Sequence, residues 1–251
     1  MTDVVLRVAG LSKAFHGVEA VHDVSFDVAA GELVALIGPN GAGKTTCFNL
    51  VNGQLAPDVG SVTLSGARID GLPPRTIARM GVGRTFQVAA TFASMTVREN
   101  VQLALLAHAG DHRSITGRAT DEMRKEADAL LERVRMTQFA GAGCATLAYG
   151  DAKRVELALA LASKPKLLLM DEPTAGMSPR SRTRLMQLAA KLAREEQIAV
   201  LFTEHDMDAV FDHADRIIVL DRGRIIAEGP PDAIRANARV RAVYLGEDEV
   251  A

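Results

Sequence analysis

The sequence predicts an α/β fold: a parallel-sheet core organised around a phosphate loop, an antiparallel β lobe and a helical insertion. Three observations predict it. Four short apolar runs (Leu33 to Ile37, Leu167 to Met170, Ile198 to Thr203 and Ile217 to Leu220) have the length and polarity of strands buried on both faces. The first of them leads straight into Gly38-Pro39-Asn40-Gly41-Ala42-Gly43-Lys44-Thr45, which fits G-x-x-x-x-G-K-[ST] at every required position. Residues 88 to about 160, by contrast, read as mostly helical, with no strand of their own.

The elements follow in order. Val4, Leu6 and Val8 alternate with Val5, Arg7 and Ala9, and Val24, Phe26 and Val28 alternate with Asp23, Ser25 and Asp27. Val62 and Leu64 repeat the pattern between Gly60 and Gly66, so these three segments form the antiparallel lobe. Thr45 to Val51 reads as a helix, which makes the glycine-rich stretch a strand-to-helix loop. Pro73-Pro74 opens a short helix to about Met80, and Gly81-Val82-Gly83 connects it to Arg84-Thr85-Phe86-Gln87. In the insertion, Thr96-Val97-Arg98-Glu99 is a capping box, with Val97, Val101 and Leu105 on one face of the helix it starts. A polar loop over 109–118 precedes a second helix with Met123, Ala127, Leu131 and Val134 in register. Ser178-Pro179 supplies an N-cap and a first-turn proline for a helix whose inner face is Leu185, Leu188, Ala189 and Leu192. Asp221-Arg222-Gly223 is a hairpin turn into Arg224 to Ala227, and from Pro230 the tail reads as short helices ending in Glu247-Asp248-Glu249.

The chemistry begins at the loop. Its glycines turn backbone N–H groups toward a phosphate, and the helix start adds favourable partial charge. Lys44 reaches β- and γ-phosphates, and the Thr45 hydroxyl binds Mg²⁺. The apolar run to Met170 ends in Asp171-Glu172, a pair suited to holding Mg²⁺ through water (Asp171) and to orienting or deprotonating an attacking water (Glu172). His205 follows the next strand at the same sheet edge, where it donates to the γ-phosphate or holds the water used by Glu172. Phe15, beside the turn His16-Gly17, either stacks on adenine or fills the core. His108, Asp111 and His112 fall in a polar loop and make a poor metal set.

Composition excludes other classes. With 48% hydrophobic residues in 251, the chain has ample core for one large domain or two small ones. A net charge of -2 argues against a dedicated nucleic-acid binder. The longest apolar stretches are strand-length rather than membrane-spanning, and Asp3, Arg7 and Lys13 interrupt any signal peptide. Cys47 and Cys144 give neither a disulfide framework nor a zinc pattern and fit a reducing cytoplasm as buried packing residues.

Phe15, the phosphate loop, Gln87, Leu147-Ala148-Tyr149-Gly150, Asp171-Glu172 and His205 stand in the order of the motifs of ATP-binding-cassette (ABC) ATPases, and the chain resembles that family over nearly its whole length. The resemblance implies a single ABC ATPase domain over 1–251. Its parts would be a RecA-like nucleotide-binding core with the antiparallel lobe (1–87 and 161–229), a helical subdomain (88–160) and a short C-terminal extension (230–251). It implies ATP, bound through Phe15 and Gly38 to Thr46, with Mg²⁺ held by Thr45, Asp171 and Gln87. Gln87 would sense both the metal and a transmembrane partner, and act with Glu172 and His205 in catalysis. Leu147, Ala148, Tyr149, Gly150 and Asp151 would be the signature segment, which binds the γ-phosphate of ATP held by a second ABC ATPase subunit. Ala175 to Ser178 would meet its counterpart across that dimer.

Within the family the chain looks most like the ATPase subunits of branched-chain amino-acid importers, on Leu147-Ala148-Tyr149-Gly150, Arg84-Thr85-Phe86-Gln87, Thr203-Glu204-His205-Asp206-Met207 and Val243-Tyr244-Leu245-Gly246-Glu247. That likeness implies integral membrane permeases as partners, a periplasmic solute-binding protein indirectly, and a peripheral position on the cytoplasmic face of the inner membrane. The rival readings are a lipid or lipopolysaccharide export cassette, and a soluble cassette that clamps DNA or ribosomes. Four departures from the wider family's pattern bear on the dimer: Ala148 replaces the usual signature serine, Tyr149 the first signature glycine, Asp151 the usual glutamine or glutamate, and Ser178 the usual Asp or Asn of the dimer-contact segment. Asp151 either repels the partner's phosphate or only stabilises its own helix.

Overall fold

The computed structural model of the chain describes residues 3–85, 91–109 and 117–245. Strands β1 (Val4–Phe15) and β2 (Val18–Ala29) form a hairpin, and β3 (Leu33–Ile37) runs into α1 (Lys44–Val51). Strands β4 (Val59–Leu64) and β5 (Ala67–Arg68), helix α2 (Pro74–Arg79) and strand β6 (Val82–Thr85) follow. The insertion holds α3 (Val97–Ala109), α4 (Gly117–Arg133) and α5 (Tyr149–Leu161). The chain then alternates β7 (Leu167–Asp171), α6 (Pro179–Glu196), β8 (Ala199–Thr203), α7 (Met207–His213) and β9 (Arg216–Asp221). It closes with β10 (Arg224–Gly229), α8 (Pro231–Ala236) and α9 (Ala238–Leu245).

Two sheets result. The antiparallel lobe has the order β2-β1-β4-β5, and the core sheet has the order β10-β9-β3-β8-β7-β6. Within the core sheet β9, β3, β8, β7 and β6 are parallel and only β10 is antiparallel. Because side chains alternate across a strand, every parallel strand feeds two cores. Leu33, Ala35 and Ile37 face one cluster with Met170, Phe202 and the helices of the insertion. Val34 and Leu36 face the other, with Phe48 of α1 and the inner side of the lobe. Phe48 and Phe202 are fully buried, each contributing about 1.5–3 kcal/mol. Arg216 on β9 spans the joint between lobe and core, donating to Glu32 (2.7 Å) and to the carbonyl of Asp27 (2.6 Å).

The local signals act as read. Thr96 and Glu99 form the capping box in both directions, Thr96 N–H to Glu99 at 2.7 Å and Glu99 N–H to the Thr96 hydroxyl at 3.2 Å. The Ser178 hydroxyl accepts from the N–H of Ser181 to cap α6. One element differs from the sequence reading. Val82–Thr85, read as a connector, is the edge strand β6, paired in parallel with Leu167–Met170. Its glycines disguise it: a Cβ at Gly83 would stand 3.2 Å from the carbonyl of Ala160, so that close helix packing, not strand propensity, sets the residue. Helix α5 opens at Tyr149, with Ala148 at its N-cap position and no side-chain cap.

Candidate functional site

The carboxyl ends of β3, β7 and β8 lie side by side and deliver three loops to one edge of the sheet. The β3 loop is the phosphate loop. Gly43 caps α1 at φ 105°, a left-handed conformation, and a Cβ there would fall 2.4 Å from the carbonyl of Ala20, so only glycine fits. The turn after β9 braces the loop from behind: the Gly223 N–H donates to the Ala42 carbonyl (2.9 Å), and the Gly223 carbonyl accepts from the His22 N–H (2.8 Å). Lys44 is buried and folds back on its own loop, donating to the carbonyls of Gly38 (2.6 Å) and Pro39 (3.0 Å). Burial draws the ammonium below the usual lysine pKa, and the nearby charges of Glu172 and Asp171 oppose that pull. Thr45 is exposed and Thr46 half-buried at the start of the helix.

The β7 loop carries the carboxylates, and each has its own partners. Asp171 accepts from the Thr203 hydroxyl (2.8 Å) and from the Arg84 guanidinium (3.1 Å). Glu172 leaves the strand at φ 46°, a left-handed conformation that costs a non-glycine residue about 1–2 kcal/mol. Its N–H is held by both the carbonyl and the hydroxyl of Thr203, each at 3.1 Å. Its carboxylate lies 2.9 Å from Nε2 of His205, the half-exposed first residue after Glu204 at the end of β8. Buried Glu204 ties the two loops together by accepting from the N–H (2.8 Å) and hydroxyl (2.6 Å) of Thr174. The predicted residues Lys44, Asp171, Glu172 and His205 are therefore brought together. Arg84, Thr203 and Glu204, which the sequence offered only as parts of the subfamily segments and without a role in the site, complete the arrangement with Thr174, which it did not single out.

The other candidates are distributed around this edge. Phe15 ends β1 at a turn with His16 and Gly17 at positive φ. It is 38% exposed, with the Lys13 ammonium 5.8 Å from the ring, so the core alternative for Phe15 does not hold. Gln87 lies outside the described residues, as do Asp111 and His112. Among the described residues no cluster of His, Cys, Asp or Glu forms a metal set. The segment Leu147–Asp151 stands apart: among the described residues no hydrogen bond or ion pair joins it to the phosphate loop. Ala148 and Tyr149 are exposed, the Lys153 ammonium lies 5.7 Å from the Tyr149 ring, and Gly150 packs on Met177 and Ser181. Asp151 forms an ion pair with Arg154 one turn on, and Arg154 also donates to the carbonyl of Arg135 (3.1 Å).

Between core and insertion lies a cleft of about 390 Å³ lined by Gln54, Ile77, Arg84, Ala104, Glu156 and Leu159. The chain entering α3 presents Phe92, 57% exposed, while buried Asn100 fixes its backbone by accepting from Phe92 N–H (2.7 Å) and donating to its carbonyl (3.2 Å). Phe92 is thus exposed on an anchored backbone.

Residues 21–175 match the family described as ABC transporter, and residues 224–250 match that of the branched-chain amino acid ATP-binding cassette transporter. The chain is 41% identical to the high-affinity branched-chain amino acid transport ATP-binding protein BraF of Pseudomonas aeruginosa, over 98% of this chain and 100% of that protein. It is 40% identical, with the same coverage, to the corresponding protein LivG of Salmonella typhimurium. Among solved structures it superposes on an ATP-binding cassette of an ABC transporter in its ADP conformation with a TM-score of 0.85 at 29% identity, covering 97% of this chain and 99% of the other. A dimeric bacterial ABC transporter cassette matches with a TM-score of 0.77 at 27% identity, covering 90% and 98%.

Proposed function

The chain belongs to the ABC transporter family as an ATP-hydrolysing subunit, and on that premise we propose that it powers the uptake of branched-chain amino acids or a related small polar solute. The observation that carries its catalytic roles is the meeting of Lys44, Asp171 and the Glu172–His205 pair at the ends of three neighbouring strands. ATP binds across Gly38 to Thr46, its phosphates facing the loop N–H groups and the start of α1, and its adenine stacks on Phe15. Lys44 exchanges two carbonyl acceptors for oxygens of the β- and γ-phosphates. The hydroxyl of Thr45, the carboxylate of Asp171 and the amide of Gln87 are hard oxygen donors of the kind Mg²⁺ takes. Bound there, Mg²⁺ would offset the charge that builds on the phosphates. Glu172 accepts a proton from water as the water oxygen bonds to the γ-phosphorus and the bond to the β–γ bridging oxygen breaks. His205 holds the Glu172 carboxylate in place for that transfer.

A second ABC ATPase subunit would close each site with its own Leu147–Asp151 segment. Integral membrane permeases would seat a cytoplasmic helix in the cleft between core and insertion, with Phe92 and Met95 of the chain entering α3 as further contacts. The subunit would sit peripherally on the cytoplasmic face of the inner membrane, served indirectly by a periplasmic solute-binding protein. The match of residues 224–250 favours this reading over lipid export or a soluble cassette. The test is uptake of radiolabelled leucine, isoleucine and valine by cells whose only copy of the subunit is altered. Phe92→Asp should abolish uptake and co-purification with permeases while the isolated subunit keeps its ATPase activity. Uptake that persists with an inactive Glu172→Gln subunit would remove the importer reading.

A further inference from the structure

Arg84 belongs to two places at once. It stands on the edge strand β6, three residues before Gln87, with its side chain only 14% exposed. One terminal nitrogen donates to Asp171 at 3.1 Å. The other donates to Asn49 on α1 (3.0 Å) and to Gln54 just beyond that helix (3.1 Å). The guanidinium is therefore fixed by the helix that carries Lys44 and Thr45, and it presents a rigid fork to the carboxylate. The same side chain lines the cleft between core and insertion, beside Gln54 and opposite Glu156.

We propose that Arg84 is a positioning residue: it sets the orientation of the Asp171 carboxylate for the divalent cation, and it carries the state of the cleft to that carboxylate. The inference rests on the nucleotide site proposed above. A carboxylate held by one hydroxyl alone can turn about its Cβ–Cγ bond, whereas one gripped on separate oxygens by Thr203 and Arg84 cannot. Outer partners of metal-binding groups act in this way, and their loss weakens metal affinity about 10–100-fold. Arg84 lines the cleft and also donates to Asp171, so this one side chain connects a body seated in the cleft with the carboxylate.

The test is equilibrium binding of ATP to the Glu172→Gln protein, which does not consume it, across a Mg²⁺ titration and in EDTA. Arg84→Lys keeps the charge and loses the fork. It should raise the Mg²⁺ concentration for half-maximal enhancement about tenfold while leaving binding in EDTA near that of the parent. Gln54→Ala, which removes one brace at the surface, should move the same midpoint in the same direction by less. A midpoint that stays put in both variants, or falls because a competing cation has been weakened, overturns the positioning role. Ala104→Phe narrows the cleft and should shift the midpoint in the Arg84 protein and not in Arg84→Lys. An equal shift in both, or none in either, overturns the link to the cleft. If the parent itself binds ATP no better with Mg²⁺ than with EDTA, the nucleotide-site reading fails and the Arg84 inference with it. If the parent shows the dependence and Arg84→Lys matches it, only the Arg84 inference fails.

Discussion

The phosphate-loop edge and the Leu147–Asp151 segment, the two surfaces that the proposed pairing of cassettes would bring against ATP, are built on opposite plans. At the first, every charged group already has a partner within the chain: Lys44 on loop carbonyls, Asp171 on Thr203 and Arg84, Glu172 on His205. ATP must displace some of these bonds, so binding there is an exchange between well-made alternatives. At the second, Ala148 has no side chain to cap its helix, and Ala148 and Tyr149 face outward. One surface is already knit together by its own side chains, and the other is left open. Preorganisation belongs to the side where bonds are broken.

The largest expected difference is in thiol reactivity, because a cysteine lies behind each surface. Burial pushes the Cys47 thiol, on α1 directly after Lys44 to Thr46, up to about 12, and raises that of Cys144 as well. A thiol raised that far is almost wholly protonated at pH 8 and becomes reactive only as pH approaches 12. Relative to an ordinary cysteine near 8.5, Cys47 in the native protein should alkylate about 10³-fold more slowly. Cys144, three residues before Leu147, should label faster than Cys47. Mass spectrometry of labelling time courses at pH 8, with urea as the unfolded control, checks this, and equal rates would show that the first surface opens as readily as the second.

Next is turnover. Glu172→Gln keeps the side-chain shape and removes the ability to take a proton, so phosphate release should fall by about two orders of magnitude or more while ATP binding persists. An unchanged release rate in the same preparation would take Glu172 out of its role. Smaller effects are expected at the second surface. In the Glu172→Gln background, Ala148→Ser adds a hydroxyl that can donate to a charged phosphate oxygen, worth about 1.5–3 kcal/mol in ATP-dependent self-association. Sedimentation with and without ATP would show it, and no gain would mean that backbone N–H groups around Gly150 already suffice. Asp151→Gln should change association least, by no more than about 0.3–1 kcal/mol, because the carboxylate is committed to Arg154. A large gain would revive the repulsion reading.

Legibility in the sequence followed the range of the interaction. The phosphate loop is contiguous and its glycines are obligatory, so it was plain; the buried strands announced themselves by unbroken apolar runs. Strand β6 was missed because Gly81 and Gly83 answer to the helix packed on them, and its partner Leu167–Met170 lies far along the chain. Arg84, Thr203 and Glu204 gain their roles only through contacts with Asp171, Glu172 and Thr174, which no local pattern encodes. The Asp151–Arg154 pair is different: residues three apart on a helix face each other, so that pairing was readable, and it favours the helix-stabilising role over repulsion of a phosphate. Gln87, the expected link between metal and transmembrane partner, falls outside the described residues.

The order of the core strands also sets a timetable for biosynthesis. Strand β3, which carries the phosphate loop, lies between β8 and β9, so both its hydrogen-bonding neighbours are translated late. At about 5–20 residues per second, a nascent chain that has just made Ile37 waits roughly 8–30 s before β8 begins to emerge. Through that interval Leu33 to Ile37 is an apolar strand with two open edges, the kind of segment that ribosome-bound chaperones cover and that aggregates when left alone. A ribosome that stalls before β8 therefore leaves a chain that contains the whole phosphate loop and lacks both strands that flank β3.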